Sequence, residues 1–184
     1  MLDRAEGRTT SEVAVLHSVQ RRVDGDSVVR LARGMSFFGE HAGGWLALGL
    51  LGAALDREHP RRWVTATAGV AGAHAASIVL KRVVRRKRPH DPRIAVHVGT
   101  PSRLSFPSSH ATSTTAAVVL YGGLAGRGAA LALAPAVPVM ALSRLVLGVH
   151  YPTDVLAGSA LGAGCAAVAL HLVRRGAVGR WRTS

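Results

Sequence analysis

Residues 129–158 read AALALAPAVPVMALSRLVLGVHYPTDVLAG, an apolar run whose only Arg, Lys, His, Asp or Glu side chains are Arg144, His150 and Asp154. Through 131–142 no polar face recurs at helical spacing, so a helix here has nothing to offer water and needs apolar surroundings on every side. The same texture continues outward in both directions. Apolar blocks centred on 37–55, 63–80, 111–124, 129–147 and 155–173 each approach the ~20 residues that cross a bilayer as helix. The expectation is an all-α integral membrane protein, a bundle of about five transmembrane helices. The competing reading, buried helices of a soluble all-α protein, draws on the short, Ala- and Gly-rich character of several blocks; the missing polar faces weigh against it.

With 184 residues, 48% of them hydrophobic, the chain has the length of one domain. Its net charge of +13 could suit nucleic acid, but the basic residues gather at the ends of apolar blocks, as in membrane proteins. Nucleic acid is therefore not an expected partner; anionic membrane lipids and a phosphorylated lipid substrate are. The lone cysteine, Cys165, excludes an intrachain disulfide. No cleavable leader is visible, because residues 1–30 are polar and charged.

Three regions are expected. Residues 1–34 read as a disordered tip followed by an amphipathic helix in the membrane interface, with Val13, Leu16, Val19, Val23, Val28 and Leu31 at roughly helical spacing and a break at Gly25. Residues 35–175 form the transmembrane domain, and 176–184 a basic tail. Gly158 and Gly162, four apart, suit close helix packing in lipid, although Gly and Ala are abundant throughout. With five spans, the long Pro- and Arg-rich loop 82–106 and the turn at His150 fall on one membrane face. Which face that is stays open, as does oligomeric state, a homo-oligomer included.

Polar residues at the ends of the blocks form three short motifs: Lys81 with Arg88-Pro89 (K-x6-R-P), Pro107-Ser108-Ser109-His110, and Ser143-Arg144 followed by His150 and Asp154 (S-R-x5-H-x3-D). Singly each has a bland reading, Lys81 as a snorkelling cation and Asp154 as a helix N-terminal carboxylate. In this order and spacing they resemble the type 2 phosphatidic acid phosphatase superfamily, which includes lipid phosphatases and soluble haloperoxidases. The second motif departs from the pattern, since most members carry Gly where this chain has Ser109.

The resemblance implies a metal-independent lipid phosphomonoesterase without a cofactor, in a bacterial plasma membrane. It makes His150 the nucleophile that forms a phosphohistidine, Asp154 the carboxylate that orients it, and His110 the general acid and base. Lys81, Arg88, Ser108, Ser109 and Arg144 would bind the phosphate. Arg82, Arg85, Arg86 and Lys87 read as a headgroup-binding surface, and the other histidines, His74 among them, as structural or surface residues. Glu40 and His41, entering the first span, are candidate substrate contacts; a water-exposed Glu40 is the alternative. The flanking sequence over 35–160 is similar to an actinobacterial branch, the decaprenylphosphoryl-5-phosphoribose phosphatases of arabinan cell-wall synthesis. Hydrolysis of polyprenyl diphosphate, phosphatidic acid or phosphatidylglycerophosphate would use the same residues, and an inactive lipid-binding scaffold is the non-enzymatic alternative.

Overall fold

The computed structural model describes residues 2–23 and 25–180. Among these residues eight α-helices follow one another: α1 (Leu2–Arg22), α2 (Asp26–Gly39), α3 (Gly43–Leu55), α4 (Pro60–Val84), α5 (Ser109–Ala125), α6 (Arg127–Leu133), α7 (Ala136–Val146) and α8 (Pro152–Arg180). A single 3-10 turn, Glu40–Ala42, joins α2 to α3. Among the described residues there is no strand, only an isolated bridge between Lys87 and Leu104.

Each expected span is helical. Among the described residues three stretches are long and apolar enough to cross a membrane: Pro60–Val84, Arg127–Val146, in which α6 and α7 run on through a turn, and Pro152–Leu172. The other two expected spans form shorter helices, 13 residues in α3 and 17 in α5. Leu50, Leu51, Leu55, Val79 and Leu156 are exposed on the outside of the bundle. In water such a surface would be a liability; in lipid it is the solvated face.

α5 is the central helix. Ala111 to Ala117 are all buried, together with Leu120, Tyr121 and Gly122, and the threonines and serines among them are enclosed. Across it, α3 is pinned by the Trp45 indole donating to Thr114 Oγ1 at 2.9 Å and by the Tyr121 hydroxyl donating to the Trp45 carbonyl at 3.0 Å. α8 packs against other residues of α5 and its cap, among them Thr112 and Ser108. A Cβ on Gly162 would stand 2.2 Å from the Thr112 carbonyl oxygen, and one on Gly158 would stand 2.5 Å from that of Ser108. The spacing of these two glycines is therefore a packing device, whereas Gly164 faces open space.

The amino-terminal region differs from expectation. Backbone of the expected disordered tip already belongs to α1, and the amphipathic stretch is two helices, α1 and α2, separated around Gly25. Val13 and Leu16 do not lie on lipid: they pack with Ile94 and Tyr151 against protein. The reason is that loop 85–108 folds over this end of the bundle and offers α1 a surface. Gln20 fastens it, its amide donating to the carbonyls of Ala95 at 2.7 Å and Val146 at 3.0 Å. At the other end, the basic tail is α8 backbone as far as Arg180; residues 181–184 lie outside the described residues.

The contrast between the two glycines gives a direct test. Gly162→Ala lowers stability by about 1–3 kcal/mol, because an overpacked contact against α5 backbone cannot relax. Gly164→Ala does not lower it, since a methyl in open space gains helix propensity of about 1 kcal/mol. Thermal denaturation of both variants in detergent checks this.

Candidate active site

Four helix ends meet at one end of the bundle, and each carries part of a motif. α4 brings Lys81 in its last turn and stops at Arg85, whose φ of 55° lies in the left-handed region and turns the chain. The loop then doubles back: the Ser105 N–H donates to the Arg86 carbonyl at 2.8 Å and the Arg88 N–H to that of Arg103 at 3.2 Å. The last turn of α7 holds Arg144. Beyond it Gly148 adopts a φ of 70°, and a Cβ there would sit 2.2 Å from the Ala95 carbonyl oxygen, so this turn into His150 requires glycine. The second and third motifs are tied by backbone, the Ser108 N–H donating to the Asp154 carbonyl at 2.9 Å.

Between these ends lies a cavity of about 290 Å³, and its walls include Lys81, Arg88, Arg144, Ser109, His110 and His150 from the three motifs, and Glu40, His41 and His74 from outside them. His74 thus belongs to the site although no motif contains it. Glu40 and His41 reach the wall where the backbone is most constrained, with His41 at φ 50° and Ala42 at φ 60°. Lys81 is 8% exposed and Arg144 2%. Arg144 Nη2 is buried with no hydrogen-bond partner among the described residues. Cations sequestered in this way are costly unless a counter-charge arrives, so the cavity is built for an anion.

His150 is buried, and its two nitrogens face different neighbours. Nε2 lies 3.2 Å from Arg88 Nη1, which also donates to the Val149 carbonyl at 2.6 Å. A guanidinium only donates, so Nε2 is the unprotonated nitrogen and carries the lone pair. The ring proton is then on Nδ1, 3.5 Å from Asp154 Oδ2. That distance is long for a full hydrogen bond, and among the described residues Nδ1 has no hydrogen-bond partner. Burial first, then the charges of Arg88, Lys81 and Arg144, hold His150 well below the usual histidine pKa. Burial also brings the Arg88 guanidinium down to about 10, opposed by Asp154, which leaves it charged at neutral pH.

His110 is oriented from α2. Its Nε2 is 3.0 Å from the Ser36 carbonyl, which can only accept, so Nε2 carries a proton and Nδ1 is left to exchange one. Gly39 permits this approach, since a Cβ there would stand 2.7 Å from the His110 ring. Ser109, where a glycine was the pattern, is paired with Ser77 at 2.8 Å. Ser77 Oγ also lies 2.6 Å from the His74 carbonyl, so its one hydrogen goes there and Ser109 donates to Ser77. Ser108 differs from expectation: fully buried, it accepts from the Ala111 N–H as the α5 cap and is not part of the cavity wall.

Arg86 also departs from its reading as a headgroup surface. Its Nη1 donates to Asp154 Oδ1 at 2.9 Å and to Thr153 Oγ1 at 2.7 Å, its Nη2 pairs closely with Glu12 of α1, and its guanidinium lies 4.0 Å over the Tyr151 ring. Nothing in the run Arg82, Arg85, Arg86, Lys87 singles it out; the left-handed turn at Arg85 does. Glu12 had a faint signal, a carboxylate on the helix face shared with Val13 and Leu16. Among the described residues, no three His, Cys, Asp or Glu side chains come together to hold a metal ion.

Helical architecture and motif geometry are those of a known class: the PAP2 superfamily model matches residues 62–176, and the chain belongs to that superfamily. It is an all-helical integral membrane protein of bacterial type. Among curated proteins it is 53% identical over 165 residues to the decaprenylphosphoryl-5-phosphoribose phosphatase of Mycobacterium tuberculosis, covering 89% of this chain and 92% of that one. With the protein of the same name from Mycolicibacterium smegmatis it shares 57% over 148 residues, 80% of this chain and 81% of the other. Two solved structures share the fold at a TM-score of 0.71: the transmembrane PAP2-type phosphatidylglycerolphosphate phosphatase from Bacillus subtilis (18% identity, 88% of this chain and 86% of that chain) and Aquifex aeolicus LpxE (14% identity, 86% and 94%).

The buried neutral imidazole has a consequence for stability. Its folded pKa lies below the ordinary 6.5, so the unfolded chain takes up the proton more readily. The contribution is present above about pH 6.5 and is lost as pH falls. In detergent, the thermal midpoint of the wild type drops between about pH 7.5 and about pH 5 more steeply than that of His150→Gln, which has no proton to gain.

Proposed function

We propose that this chain is a lipid phosphatase that removes the 5-phosphate from decaprenylphosphoryl-5-phosphoribose, releasing inorganic phosphate and leaving decaprenylphosphoryl ribose. The observation that carries the phosphatase reading is the ring of sequestered cations, with one Arg144 nitrogen unpartnered, around the lone pair of His150. The substrate reading is supported by the names and extensive identity of the mycobacterial relatives.

In this mechanism Lys81, Arg88 and Arg144 take the phosphoryl oxygens, offsetting the charge that repels a nucleophile. His150 Nε2 attacks phosphorus; a P–N bond forms and the bond to the ribose O5 oxygen breaks. His110, protonated on Nδ1 as well when the anionic phosphoryl group is bound beside it, gives that oxygen the Nδ1 proton and becomes the neutral ring, while Nε2–H stays on Ser36. Asp154 receives the Nδ1 proton of His150 in a hydrogen bond that shortens as the ring becomes positive, and the 3.5 Å gap is within the looseness of a site without substrate. His110 then takes a proton from water, the oxygen attacks phosphorus, and the P–N bond breaks with the electron pair returning to Nε2. Ser109, its hydrogen directed at Ser77, presents lone pairs rather than a donor. Glu40 and His41 face the sugar side, where a carboxylate and an imidazole can bind ribose hydroxyls. Ser108 fixes α5 against α8 and so holds the two histidines in register. The substrate is phosphorylated polyprenyl lipid, and the protein acts without a metal or cofactor.

The test is phosphate release by purified protein in detergent containing EDTA. The phosphoribose lipid is hydrolysed in preference to polyprenyl diphosphate and phosphatidic acid, and His150→Gln lowers the rate by at least about 10³-fold while remaining folded. Equal activity in His150→Gln, or preference for the diphosphate, contradicts the proposal.

A further inference from the structure

We propose that Arg86 and Glu12 are positioning residues for the reaction, and that the amino-terminal helix is thereby a working part of the active site. This rests on the reading of His150 as nucleophile and Asp154 as its partner. Asp154 is fully buried, and the plane of its carboxylate turns about a soft terminal torsion. Oδ2 accepts the Tyr151 N–H at 2.8 Å and faces His150 Nδ1; Oδ1 is held by Arg86 at 2.9 Å. Without Arg86 that second oxygen loses its charged partner, and the orientation presented to His150 is no longer fixed.

Arg86 is itself held on three sides. Its planar fork reaches Asp154 and Thr153 with one nitrogen and Glu12 with the other, while its face rests on Tyr151. Glu12 in turn grips the first turn of α8: Oε1 accepts the Thr153 N–H at 3.2 Å and pairs closely with the Thr153 hydroxyl. At 7% exposure, a carboxylate on a helix carries a desolvation cost that Arg86 and Thr153 offset. The placement has a chemical logic. Arg86 shared between two carboxylates steadies Asp154 without claiming its whole charge, which leaves Oδ2, beside its bond from the Tyr151 N–H, a lone pair to receive the imidazolium. A lysine cannot hold this fork, because its point charge cannot satisfy three acceptors in one plane. Glu12 lies outside the stretch 62–176 matched by the family model, so this support comes from a region that the superfamily pattern does not describe.

The test is a double-mutant cycle on the full chain in detergent, reading phosphate release from the phosphoribose lipid. Arg86→Met lowers kcat by about 30–100-fold with KM unchanged within about twofold, and in an Asp154→Asn background it adds less than about threefold, because its effect runs through that carboxylate. Guanidinium ion in the buffer restores part of the activity of Arg86→Met and none of that of His150→Gln. Glu12→Leu gives a smaller loss, which Glu12→Gln rescues only in part, because its single carbonyl oxygen can accept from Arg86 or from Thr153 but not from both. If Arg86→Met does not fold, Arg86→Lys and Glu12→Leu enter the same cycle. A loss that multiplies undiminished in the Asp154→Asn background, or one confined to KM, makes Arg86 merely structural and overturns the proposal. Activity persisting in His150→Gln is a different failure, that of the underlying mechanism.

Discussion

Asp154 is the group on which this end of the bundle depends. Its side chain is enclosed, yet it meets Arg86, Tyr151 and His150, and its backbone carbonyl receives the Ser108 N–H. Those contacts join loop 85–108, the start of α8 and the start of α5, so that one residue binds together parts of all three motifs. A buried carboxylate is tolerated only with such a complement of donors, and breaking one partner strands the charge. This gives the site its rigidity: the positions of His150 and His110 are set by the same few buried polar contacts.

Around that carboxylate the cations are in excess. Lys81, Arg88 and Arg144 line a cavity where the other charged side chains are Glu40 and Arg82, and part of the Arg144 guanidinium has no partner. Self-repulsion among them destabilises the empty site, and a phosphoryl group relieves it. The structure stores in this way some of the free energy that substrate binding recovers, while the largely apolar exteriors of the spanning helices keep the framework in place. Close approach of α5 and α8 through Gly158 and Gly162 resists the spreading that the clustered charge favours.

The sequence was most informative where chemistry constrains residue type. Lys81, Arg88, His110, Arg144 and His150 stood out through the order and spacing of three motifs that resemble one family, and the structure brings all of them to one cavity. Helix placement was equally legible from the apolar blocks. What remained hidden was which surface-like residues turn inward. Arg86 sits among look-alike basic neighbours and is selected by a backbone reversal at Arg85; α1 packs on protein because loop 85–108 covers the bundle end, a tertiary fact with no local signature. Ser108 shows the opposite limit, a motif residue whose hydroxyl is spent on capping its own helix. Ser109 became intelligible only with Ser77, distant in sequence and 2.8 Å away in space.

A catalytic cycle through His150 implies that phosphorus spends part of each turnover on its Nε2. Rapid quench of the enzyme with substrate labelled in the 5-phosphate, followed by peptide mapping, tests that claim most directly. The account predicts acid-labile, alkali-stable label on the peptide containing His150 in the wild type, and its absence in His150→Gln. Label on a serine or carboxylate, or wild-type turnover with no labelled protein, would contradict it.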